Sequence, residues 1–100
     1  MFVVYILYSK QIDRFYIGQS EDYSIRLELH QQKFFKGSFT IQAQDWTTFL
    51  IIECKSRRQS VNIELHIKRM KSRKYITNLQ NYLEMVDKLK ARFAFEPQSE

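Results

Sequence analysis

The chain has 100 residues, 44% hydrophobic and 27% charged, with a formal charge of +5 and a pI near 9.4. That is room for one domain, the composition excludes a disordered chain, and no apolar run approaches membrane-spanning length. The positive balance leans towards a polyanionic partner, although a soluble protein can be basic without one.

Residues 2–8 form a continuous β-branched and aromatic run, as expected for a strand covered on both faces. Residues 9–13 are polar and 14–17 read as a second, shorter strand, so the pair is expected to form a hairpin with a five-residue loop. Gly18 follows, and a glycine at a strand end implies a turn or a close backbone approach. Gln19, Ser20, Glu21 and Asp22 offer capping oxygens to a helix over 22–33. In that helix Ile25 and Leu29 face the core, while the same spacing puts Arg26 and His30 together on a different face. The irregular stretch 34–45 is a candidate functional loop by its length.

Residues 46–54 read as the third strand. Cys54, the single cysteine, precludes an internal disulfide or a cysteine-based zinc site and is expected to pack as a small hydrophobe. Ser60 is expected to cap a helix reaching Met70, with Ile63, Ile67 and Met70 inward. Ser72 is expected to cap a last helix with Ile76, Leu79, Leu83, Val86 and Phe93 as its stripe. Residues 1–93 therefore read as one α+β domain of order ββαβαα, a small three-stranded antiparallel sheet flanked by helices. Residues 94–100, with the single proline Pro97, read as a frayed tail. No cleavable leader is expected at the N-terminus, which with the lone cysteine points to a reducing, cytoplasmic location.

Tyr5 and Tyr16 fall on the two hairpin strands, Gly18 stands beside them, and Arg26 and His30 follow on the first helix. With Glu64 on a later helix, this ordered set resembles the GIY-YIG nuclease family in its small single-domain form. The residues that carry the resemblance are Val3-Val4-Tyr5, Tyr16-Ile17-Gly18, Arg26, His30 and Glu64. The chain departs from the family pattern at three places: Val3 replaces the glycine of the first motif, Asp45-Trp46 stands where Pro-Trp is common, and Gln19 replaces the lysine of the excision-repair branch.

The resemblance implies a single-step phosphodiester hydrolase acting on DNA with one divalent cation, Mg²⁺ or Mn²⁺, held by Glu64. Tyr5 would activate or orient the water, Tyr16 would hold a second oxygen of the network, Arg26 would grip the scissile phosphate and His30 would relay a proton. A tyrosine is a poor base at its reference pKa near 10, so cationic neighbours such as Arg26 and His30 are what this role requires. Asn78 stands near the place where some relatives carry a substrate-ordering asparagine. Bland alternatives stand beside each role: core aromatics for the tyrosines, solvated helix residues for Arg26 and His30, and an ion pair with Lys68 for Glu64. His66 is read as a surface residue.

Lys55, Arg57, Arg58, Lys68, Arg69, Lys71, Arg73 and Lys74 face one acid, Glu64, in the same stretch. Such a run is either a solvated face or, beside a phosphate-cleaving site, a surface for nucleic-acid backbones. A catalytically weak or inactive nucleic-acid-binding module of the same fold is the competing interpretation of the whole chain. No membrane association is expected, and no obligate protein partner can be read from the sequence.

Overall fold

A computed structural model describes residues 1–21 and 43–94. The strands are β1 (Phe2–Ser9), β2 (Arg14–Ser20) and β3 (Thr47–Cys54), and the helices are α1 (Arg57–Met70), α2 (Arg73–Asn81) and α3 (Leu83–Arg92). The sheet is antiparallel throughout, in the order β2-β1-β3. The fold is α+β, as the sequence predicts. The expected helix over 22–33, most of the loop over 34–45, and the tail beyond Ala94 lie outside the described residues.

β1 is central, and this is why its apolar run does not alternate. Val4 and Ile6 point to one face, where they meet Ile52, Cys54, Ile63, Ile67, Ile76, Leu79 and Leu89. Val3, Tyr5 and Leu7 point to the other, where they meet Ala43 and Trp46. Among the described residues, α1, α2 and α3 contribute to the first of these cores and not to the second. Burial raises the Cys54 thiol pKa, in keeping with a side chain that packs as a small hydrophobe. The pairing of β1 with β3 shifts between Ile6 and Leu7, leaving Phe49 as an extra residue in β3. Gln80 donates to the Phe49 carbonyl at 2.9 Å, so α2 satisfies a group near the irregularity.

The hairpin loop is four residues, 10–13, because Ser9 pairs with Arg14. Asp13 closes it in the left-handed region at φ 54°. β2 also runs three residues further than expected, to Ser20, so Gly18 is not a turn but a residue in mid-strand, opposite Tyr5. β3 starts at Thr47, leaving Trp46 buried just before it.

The helix caps differ from expectation at one point and agree at another. Ser56, not Ser60, caps α1, accepting the Gln59 N–H at 3.0 Å. Ser60 lies inside the helix, fully buried, and donates to the Arg57 carbonyl at 2.8 Å and to Gln19 Oε1 at 3.3 Å. Ser72 caps α2 as expected, accepting the Tyr75 N–H at 3.0 Å. Ile63 and Ile67 are buried, but Met70, on the last turn, is 44% exposed. The expected last helix is two helices, broken at Tyr82, so Leu83 falls off the stripe and is 62% exposed. The rest of the stripe holds: Ile76 and Leu79 are buried and Val86 and Phe93 pack against the core, joined by buried Leu89 and by Met85. Buried Gln59 joins the layers, accepting from Lys55 N–H at 2.7 Å and donating to the Lys90 carbonyl at 2.9 Å.

Candidate active site

Tyr5 and Gly18 are cross-strand partners, and Tyr16 is opposite Leu7, one diagonal step away on the same face. The Tyr5 and Tyr16 rings stack with centroids 6.3 Å apart and planes 29° from parallel. A Cβ on Gly18 would stand 2.6 Å from both Cζ and Oη of Tyr5. The glycine therefore serves close approach, and the positive φ that a turn would use is not involved. Tyr5 has no exposed surface, while Tyr16 is half-buried.

Trp46 meets the Tyr16 ring edge-on at 6.4 Å and 66°. Its position is set by its neighbour. Asp45 accepts the Ser9 hydroxyl at 2.5 Å and the Gln11 N–H at 2.8 Å, tying the chain before β3 to the hairpin loop. Gln44 N–H adds a bond to Gln11 Oε1 at 3.2 Å. The Ser9 hydrogen bond, followed by that of Gln11, holds the Asp45 carboxyl below the usual range.

Glu64 stands on α1, which packs over the opposite face of the sheet from the two tyrosines. Its flank of the helix turns towards the edge strand. One turn before it, Ser60 touches Gln19 of β2; one turn after it, Lys68 lines a groove with Ile17 and Arg14. The Glu64 side chain is 15% exposed and accepts from Lys68 at 2.8 Å. The expected alternative, an i, i+4 ion pair, is thus present. Among the described residues no three His, Cys, Asp or Glu side chains come together. A lone carboxylate of this kind still fits a hard divalent cation such as Mg²⁺, which is held by one or two carboxylates and completed by water and substrate phosphate. Arg26 and His30 lie outside the described residues.

The family model for the GIY-YIG catalytic domain matches residues 1–78. The chain belongs to the GIY-YIG family. No curated protein and no solved structure matches it. The GIY-YIG domain is a nuclease fold whose members act on nucleic acid and generally use divalent metal ions.

In this GIY-YIG domain the basic run divides between the two ends of α1. Lys55, Arg57 and Arg58 sit at its start; Lys68, Arg69, Lys71, Arg73 and Lys74 sit at or beyond its end, and all eight are exposed. Arg73 is engaged: it donates to the Asp13 carboxylate at 2.7 Å and to the Asp13 carbonyl at 2.8 Å, and lies 5.3 Å from the Phe15 ring centre. Tyr8 also donates to Asp13, and these two partners lower the Asp13 pKa, the tyrosine contributing most. Asn78 is half-buried on α2, its carbonyl accepting from Tyr82. His66 is not a plain surface residue: it packs between the rings of Tyr75 and Phe93, at 6.0 and 5.8 Å.

Sequence patterning missed three participants. Arg14 opens β2 and joins Lys68, Lys71 and Arg73 around one groove, a convergence no linear charge count contains. Asp45 and Trp46 act on the hairpin from thirty or more residues away. The Asp45-Trp46 pair was visible as a departure from the family pattern, and that was its only signal.

Proposed function

We propose that the chain is a divalent-metal-dependent endonuclease that hydrolyses DNA phosphodiester bonds in one step. The observation that supports this reading is the close packing of Tyr5 on Gly18 with Tyr16 stacked beside it; Glu64 stands on the helix over the other face of the sheet, so its part in the chemistry rests on the family resemblance. Glu64 would hold the cation, which supplies neutralisation of the phosphate's growing negative charge and of the leaving oxygen. Tyr5 would orient the attacking water and Tyr16 the oxygens around it. Arg26 would present its planar fork to the scissile phosphate, and His30 would share a proton with Tyr5. The exposed cations at the ends of α1 would hold the nucleic-acid backbone without regard to sequence.

Two observations favour a second reading. Tyr5 is wholly buried and Glu64 is already paired with Lys68, an arrangement that a nucleic-acid-binding module with little turnover would also keep. A cleavage assay on single-stranded, duplex, nicked and branched DNA with Mg²⁺ or Mn²⁺ separates the two. Metal-dependent products that disappear in Glu64→Gln support the nuclease; binding without products on every substrate supports the module.

A further inference from the structure

A groove of about 280 Å³ runs between β2 and the junction of α1 with α2. Phe15, Ile17, Ile67 and Ile76 supply its apolar lining, and Arg14, Lys68, Lys71 and Arg73 its cations. Two of those cations are already matched, Lys68 by Glu64 and Arg73 by Asp13. Among the described residues, Arg14 and Lys71 have no carboxylate at ion-pair distance. Lys71 is the C-cap of α1, held in the left-handed region at φ 48°, so its backbone is set by the helix end. The groove begins one turn beyond Glu64 on the same flank of α1.

We propose that this groove takes an unpaired nucleotide of the nucleic-acid substrate, its phosphates on Arg14 and Lys71 and its base against Phe15 and Ile17. The substrate class rests on the nuclease reading above. Duplex DNA presents phosphates outward and keeps its bases stacked, so a purely duplex-binding face needs cations but no apolar lining between them. A single strand offers both a phosphate track and a free base face, and proteins that hold one combine a cationic groove with apolar and aromatic surface. The opposite end of α1 makes the contrast. There the cleft beside Arg57 is lined by Phe2, Gln19, Ser20 and Glu21, and the acid opposes phosphate.

The test is fluorescence anisotropy on a labelled oligonucleotide, single-stranded or annealed to its complement, in chelator so that no strand is cut. Arg14→Gln with Lys71→Asn removes two charges while leaving a residue that tolerates left-handed backbone at position 71. Lys55→Gln with Arg57→Gln removes the same charge at the far end of α1, about 20 Å away by helical rise. The groove pair should weaken single-strand binding about tenfold and flatten its salt dependence by about 0.7 in log–log slope per lost contact. Duplex binding should fall by less, and the far pair should weaken both substrates alike. Equal losses from the two pairs on both substrates, or single-strand binding unchanged in the groove pair, would overturn the proposal. Groove-dependent single-strand binding by a protein that yields no product in the cleavage assay with Mg²⁺ or Mn²⁺ would instead overturn the nuclease reading and leave the groove. Circular dichroism of both pairs guards against unfolding.

Discussion

Tyr5 and Gly18 face each other across the central and edge strands so closely that no side chain fits between them. The tyrosine is fully buried, so its ring cannot swing out of the way. Gly18→Ala should destabilise the fold by about 1–3 kcal/mol, the usual cost of overpacking. Because the clash involves ring carbon Cζ as well as the hydroxyl, Tyr5→Phe in the same chain should recover only part of that loss. Urea unfolding of the single and double variants checks this; full recovery would mean that the hydroxyl alone is crowded.

Glu64→Gln keeps the size and helix propensity of the residue and can still accept a hydrogen bond from Lys68. An i, i+4 pair is worth about 0.5 kcal/mol, so the unfolding midpoint should barely move. Nucleic-acid binding should persist or tighten. Cleavage should fall by orders of magnitude if the carboxylate holds the cation. Wild-type turnover in this variant would remove Glu64 from the chemistry.

Ser56 and Ser60 are four residues apart with opposite requirements, and aspartate distinguishes them. Ser56→Asp should be tolerated within about 0.5 kcal/mol, because aspartate is as good an N-cap as serine. Ser60→Asp should cost about 3 kcal/mol or more, because it buries a carboxylate against the Gln19 carbonyl-type oxygen and the Arg57 carbonyl. Ser56→Ala should cost about 1 kcal/mol. Thermal melts of the three variants give the order directly.

Asp45 should shape the acid side of the stability profile. Its hydrogen bond from Ser9 depresses its folded pKa, so the stabilisation is fully present above the unfolded value, near 4, and is lost as pH falls through the folded value. Asp45→Asn should therefore lower stability at neutral pH and make its decline on acidification shallower. Trp46 is the single tryptophan and is buried beside this carboxylate, so its emission should shift to longer wavelength as the tie is broken. An unchanged acid limb in Asp45→Asn would show that the tie contributes nothing.

The sequence by itself determined the strands, the α+β class and the identity of the paired tyrosine motifs. These signals are local: a doubly covered central strand must be continuously apolar, and a short polar break between β-prone runs returns the chain as a hairpin. Tertiary structure decided what no local pattern contains. Gly18 looked like a turn residue because its need for space comes from Tyr5 on the neighbouring strand. Both Ser56 and Ser60 can cap a helix, and the choice fell on the one left outside when Ser60 was buried against β2. The break at Tyr82 has no glycine or proline to announce it, and the apolar stripe restarts where α3 meets the core at Leu89. The cations of one linear run separated to the two ends of a helix, and Arg14 joined one group from a strand, because charge carries no information about which surfaces will adjoin until the core has packed.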